Sequence, residues 1–325
     1  MNFKSFKIKV QKFKDTNIQS NLIIIISILI FIIGIIKLLN LEKFQLINLK
    51  NSFINLIYWL PLFYFILLLS YLGRYLRWRI LLGSLSIGKP SLKDLLWWFS
   101  GFSLTATPGK IGEISRVHQL NKYLGYPKDI LIPIFFVERF FDFFSVLIWL
   151  LILSPNFIFV NYEKLINSNY FLILITFLFV VALFLLRKIL KFSKRTWTDL
   201  KSNISKKRIL KTIIFSTLTS MYFWGIEAIV LWLLVYVLSN NTISISSAIC
   251  IYFISGILGV LSGLPGGVGI NEATTTILLQ QEGLPVTLAL IISIFRRLIT
   301  IWSISGISIL LSIKLKRHIF LNSKR

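Results

Sequence analysis

Six stretches of this chain are long and apolar enough to cross a bilayer: about 22–39, 53–72, 129–153, 169–187, 212–238 and 286–313. A spanning helix needs roughly 20 such residues. Composition agrees with that reading. The chain is 56% hydrophobic and only 15% charged, with a mean hydropathy of +0.79. A soluble domain carries about 25% charged residues and has one core in which to hide its apolar surface. The sequence therefore predicts an integral, all-α polytopic membrane protein. One cysteine, Cys250, excludes a disulfide framework and a multi-cysteine metal site. Two histidines, His118 and His318, are too few to build a zinc centre. No metal or cofactor is expected.

The charge is lopsided: 36 Lys and Arg against 12 Asp and Glu, a net +24. In a soluble protein that would suggest nucleic acid. Here the cations mark orientation, because cytoplasmic segments of membrane proteins collect Lys and Arg. A basic arm (1–21), segments 73–93 and 110–128, ten cations between 187 and 211, and the tail (314–325) together hold 29 of them. Lys37, Lys43, Lys50 and Lys164 fall on the other side, and Arg139, Arg296 and Arg297 fall inside spans. This bias predicts a single membrane domain over 22–313, with both termini and a basic loop (188–211) in the cytoplasm; a prokaryotic plasma membrane is the expected location. The loop is expected to touch anionic lipid headgroups. Residues near 40–50, 155–168, 239–243 and 282–284 are expected to face outward.

The bias also fixes a parity. Segments 73–93 and 110–128 must share a side, so the apolar stretch 91–107 must return to the side it left, as a re-entrant hairpin. The stretch 244–262 behaves alike. Each runs into a Pro-Gly sequence and then a helix-like segment, 110–124 or 270–281. The first motif is TPGKIGE (107–113), the second LPGGVGINE (264–272). Downstream, LGYP leads to Pro127 and then Arg139, while EGLP leads to Pro285 and then Arg297. The spacings match: 19 and 12 residues in the first copy, 20 and 12 in the second. Two copies emerge, about 91–187 and 244–313. Three crossings between them make the copies inverted, the architecture in which secondary transporters place their sites near the membrane midplane.

Non-helical backbone at membrane depth must line a polar cavity or pack within protein. Pro108, Gly109, Gly112, Pro265, Gly266, Gly267 and Gly269 suit such loops, and the helix starts that follow them favour anions. No G-x-x-x-x-G-K-[ST] nucleotide loop is present. Glu138, Arg139 and Asp142 lie about 14 Å into their span at 1.5 Å per residue. Arg296 and Arg297 reach a similar depth. Intramembrane charges face an aqueous path or pair with one another. Two readings stay open: arginines holding an anionic headgroup, or ion pairs knitting the repeats together. Glu113 and Glu272, which close the motifs, are expected to cap backbone amides or pair with those arginines. Glu227 needs a partner that the sequence does not identify.

The sequence resembles the lysylphosphatidylglycerol synthase transmembrane region, also called the flippase-like membrane domain. The resemblance rests on R-x-x-R-W-R-x-L-L (Arg74, Arg77, Trp78, Arg79, Leu81, Leu82), on TPGKIGE with Arg116, on V-E-R with Asp142, on LPGGVGINE and GLP, and on Arg296 and Arg297. It covers about residues 20–315. It implies translocation of an anionic phospholipid or lipid-linked phosphate headgroup through a polar groove between the repeats, without catalysis. The chain ends about ten residues after its last span, so no soluble aminoacyltransferase domain is expected. The alternative is a membrane-embedded subunit or scaffold for a lipid-modifying or glycosyltransferase enzyme. Such an enzyme is the protein partner either reading implies; nucleic acid is not.

Overall fold

The computed structural model describes residues 43–85, 87–107, 111–160, 206–239 and 243–322. Among them there is no strand. The order is α1 (Lys43–Ser84), α2 (Leu92–Ser100), a 3-10 turn (Gly101–Leu104), a second (Ile111–Ile114), α3 (Ser115–Leu124), α4 (Lys128–Val160), α5 (Lys206–Ser239), α6 (Ile245–Leu261), α7 (Ile270–Gln281), α8 (Val286–Arg297), a π-helical turn (Leu298–Trp302) and α9 (Ser303–Asn322). Among the described residues, three helical stretches are long and apolar enough to cross a membrane: Ile54–Gly83, Leu210–Ser239 and Val286–Arg317. The arm, the stretches 22–39 and 169–187, most of the loop 188–211, and Pro108 and Gly109 lie outside the described residues.

Helix α1 departs from the expected boundaries. The stretch expected at 53–72 runs on to Ser84, so Arg74, Arg77 and Arg79 belong to the helix rather than to a cytoplasmic loop. The cause is a buried stripe that continues at helical spacing. Phe63, Leu67, Tyr71, Arg74, Trp78 and Leu82 are all buried, while Phe65, Leu68, Leu72 and Leu76 point outward. The outward stripe is what a lipid-facing surface requires. The buried stripe lies along α5, the most extensive helix contact among the described residues. Gly73 permits that approach: a Cβ there would stand 3.1 Å from Tyr222 and 3.2 Å from Phe223.

The two hairpins also differ from a uniform apolar pass. The first is short. Ser91 caps α2 by accepting the Asp94 amide at 3.1 Å, and after the nine residues of α2 the chain tightens into a 3-10 turn. The second is longer, with α6 and α7 packed on each other. In its loop, Gly266, Gly267 and Gly269 have φ of +60°, +69° and +88°. Gly267 also lies against the backbone of Gly259, where a Cβ would meet the Gly259 Cα at 2.7 Å. Gly267→Ala is therefore expected to cost about 2–4 kcal/mol, from left-handed strain plus overpacking. Gly306→Ala, on α9 with nothing within 4 Å of its Cβ position, should be neutral or stabilising. Thermal unfolding of the purified protein in detergent measures both; equal midpoints would show that the loop yields.

The last expected span, 286–313, is not one α-helix. It widens into the π-helical turn directly after Arg297. Such turns recur at functional sites.

Candidate functional site

The segments that follow the two Pro-Gly motifs share several local features. Each short helix after the loop ends near a left-handed glycine, Gly125 (φ +71°) or Gly283 (φ +92°), and Pro127 or Pro285 then precedes the long helix. Two rungs tie short helix to long helix in each copy. In the first copy Glu113 pairs with Arg139 at 3.4 Å, and Arg116 pairs with Glu138. In the second, Glu272 pairs with Arg297 at 2.9 Å, and Arg296 donates to the Thr275 hydroxyl at 3.0 Å. The helical period explains the register: residues three apart on one helix meet neighbouring residues on the other.

The closing carboxylates do more than pair. Glu272 also accepts the Gly269 amide at 2.6 Å, which caps the start of α7. Glu113 accepts from the Thr105 hydroxyl at 3.1 Å, while Thr107 accepts the Gly112 amide at 2.7 Å. Gly112 has no room for a side chain; its Cβ would stand 2.6 Å from the Leu104 carbonyl. Arg297 donates to the Gly266 carbonyl, so one guanidinium holds both the loop and the first turn of α7.

Behind these rungs the charges form a network in which α1 is the unexpected contributor. Arg77, 1% exposed, donates to Asp142 at 2.6 Å and to Ser220 at 2.7 Å, and lies 3.6 Å from Glu138. Asp142 also pairs with Arg139 at 3.1 Å and accepts the Trp224 indole at 3.1 Å. Arg74 is the partner that Glu227 required, at 2.7 Å, and the Tyr252 hydroxyl donates to the same carboxylate at 3.1 Å. Arg116 faces the Trp78 and Trp98 rings at 5.0 and 5.5 Å. At the base of the first hairpin, Asp94 accepts from Arg79 at 3.0 Å and Tyr75 at 2.9 Å. Burial, then the field of Asp94, pushes the Tyr126 phenol above its ordinary range.

These elements enclose a cavity of about 310 Å³. Thr105 and Thr107 reach it from the first loop, and Gly266 and Gly267 from the second. Arg139 and Asp142 line it from α4, Arg296 and Arg297 from α8, and Asn271 from α7. Trp224 and Tyr252 add an aromatic side; Ile257, Val260, Leu261 and Ile301 make it mostly apolar. Convergent polar groups on a mostly apolar wall are the signature of a ligand site.

Of the expected site residues, Arg139, Asp142, Gly266, Gly267, Arg296 and Arg297 meet at the cavity. Gly112, Glu113, Arg116, Glu138, Pro265, Gly269 and Glu272 are not on its wall. Glu113, Arg116, Glu138 and Glu272 bond to the residues that are, or to each other. His118 is exposed on α3 and does not line the cavity. Trp224, Tyr252 and Asn271 had not been anticipated there. Among the described residues, no group of three or more His, Cys, Asp or Glu is placed to hold a metal ion.

The family model described as Lysylphosphatidylglycerol synthase TM region matches residues 24–308. A relative, the UPF0104 membrane protein of Methanothermobacter thermautotrophicus, is 31% identical over 93 residues. That alignment covers 29% of this chain and 28% of the relative. No solved structure matches the chain.

Proposed function

The chain belongs to the lysylphosphatidylglycerol synthase TM region family, and from that premise we propose that it moves an anionic phospholipid or lipid-linked phosphate headgroup across the membrane, through a groove between inverted repeats. The observation that carries this reading is the convergence of Thr105 and Thr107, Gly266 and Gly267, and three arginines on one largely apolar cavity. Guanidinium groups suit a phosphate, and the apolar wall suits the chains attached to it. Matched rungs in the two copies support a common origin for the two halves of the groove.

Reconstitution of the purified chain in liposomes, with fluorescent headgroup-labelled lipid, tests the proposal. Faster loss of outer-leaflet label than in empty vesicles is the expected result. Product formation from a labelled lipid-linked sugar, with no translocation, would instead favour a subunit of a lipid-modifying enzyme. Orientation is tested separately. A cysteine introduced at position 201 should react with an impermeant reagent only after the cell is opened. Native Cys250 is buried and need not be removed. Labelling of position 201 in intact cells would overturn the cytoplasmic placement of the basic loop.

A further inference from the structure

Around the cavity, the described residues bring together six guanidinium groups and five carboxylates. Arg74 is matched by Glu227, Arg77 by Asp142 and Glu138, Arg116 by Glu138, Arg139 by Glu113 and Asp142, and Arg297 by Glu272. Every carboxylate in the set is engaged by an arginine other than Arg296. Arg296 is 2% exposed, lines the cavity, and forms no ion pair among the described residues. Its terminal nitrogens donate to Ser255 at 3.1 Å, Asn271 and Thr275, all uncharged. The fields of Glu272 and Glu227 reach it, but those groups are held by Arg297 and Arg74. Neutral oxygens satisfy the donors of a guanidinium and leave its charge uncancelled. Arginine cannot shed a proton to escape the cost.

Comparison of the copies shows where the imbalance enters. Glu138 occupies the place of Arg296 in the first copy, and its partner Arg116 the place of Thr275. The first copy closes this rung with a matched pair; the second puts a cation against a neutral hydroxyl. We infer that the cavity takes a ligand with one net negative charge, a lipid phosphodiester, and that Arg296 rather than Arg139 or Arg297 is the group that holds it. This rests on reading the cavity as a headgroup site. A phosphodiester carries one charge and cancels the excess. A phosphomonoester carries about 1.5 to 2 and would set surplus negative charge beside Asp142. The apolar wall of Ile257, Val260, Leu261 and Ile301 accepts the hydrocarbon, which a water-soluble phosphodiester lacks.

The test measures binding to the full chain in uncharged maltoside micelles by native mass spectrometry. The probes are phosphatidylglycerol, phosphatidic acid, diacylglycerol and deacylated glycerophosphoglycerol. Phosphatidylglycerol should bind at least about tenfold tighter than each of the others, the worth of one charge-assisted hydrogen bond. Arg296→Gln should lose that tenfold while keeping wild-type yield and melting temperature, because it removes an unbalanced cation and orphans no carboxylate. Asn271→Asp supplies a carboxylate where Arg296 already donates, so it should raise the melting temperature and abolish phosphatidylglycerol binding. Undiminished binding by either variant overturns the inference. So does phosphatidic acid binding as tightly as phosphatidylglycerol, and glycerophosphoglycerol doing so overturns the lipid assignment. Vesicle translocation separates this from the parent reading. Phosphatidylglycerol that binds through Arg296 but is not moved counts against translocation and leaves the inference standing. Equal transport by wild type and Arg296→Gln sinks the inference and leaves translocation standing.

Discussion

Arg74→Gln and Glu227→Gln are each expected to destabilise the protein by about 3–5 kcal/mol, and the double variant to recover most of that loss. The pair is close, 2.7 Å, and each side chain is only 6% exposed. Removing one member strands a charge between α1 and α5, the largest helix contact among the described residues. The remaining surroundings tolerate a neutral amide. Arg74 lies over the Phe223 and Trp224 rings at 4.3 and 4.5 Å, so a planar glutamine still packs there. Tyr252 can donate to a glutamine at position 227 as it does to the carboxylate. The measurement is the monodisperse fraction surviving a heat step in detergent, for the two singles and the double. A double variant as damaged as the singles would show that hydrogen-bond geometry, not charge balance, holds the helices together.

That pair also marks what the sequence made legible. The apolar runs located α1, α4, α5 and the α8–α9 segment, since twenty apolar residues have few other uses. The positive-inside rule then misassigned Arg74 and Arg77, because it treats any arginine after such a run as a flank. The correcting signal was in the helical period. Arg74 sits at the spacing of Phe63, Leu67, Tyr71 and Trp78, so a continuing helix would bury it and demand an acid. Glu227, equally deep in its own helix, lacked a base. Each orphan answered the other, though no local rule joins residues 153 apart in sequence. Pairing of Glu113 and Glu272 with arginines was one of the two roles the motifs left open, and Arg139 and Arg297 both line the cavity. The aromatic side of the cavity was not, because Trp224 and Tyr252 lie on helices whose rotation only packing decides. Nor did the R-R pair reveal that Arg297 has an acid and Arg296 has none. Adjacent helical residues point about 100° apart, so Arg297 reaches Glu272 while Arg296 turns to Asn271, Thr275 and Ser255.

The matched arginines should respond unequally to lysine. Arg297 serves two partners at once: its Nε forms an ion pair with Glu272 at 2.9 Å, and a terminal nitrogen donates to the Gly266 carbonyl. A lysine ammonium is a point charge on a flexible stem and cannot hold both in one plane. Arg297→Lys keeps the ion pair with Glu272 and releases the loop, so translocation should fall at least about tenfold, the value of one hydrogen bond to a charged group. Arg139 stands between Glu113 at 3.4 Å and Asp142 at 3.1 Å, and its side chain is 23% exposed. Attraction to two carboxylates asks for charge more than for a fork. Arg139→Lys should therefore retain at least about one third of the rate, in keeping with the modest worth of partly exposed pairs. The two roles separate in the kinetics. Loosening the Gly266 loop should lower the maximal rate while leaving phosphatidylglycerol affinity within about threefold, because Arg296 remains in place. Full translocation by both lysine variants would remove either arginine from the mechanism. Equal loss by both, with affinity falling in step, would return the phosphate to Arg139 and Arg297 together. Neutralising Arg297 and Glu272 as a pair discriminates further: recovery of yield without recovery of rate would mean that the rung is needed for movement of the loop as well as for its folding.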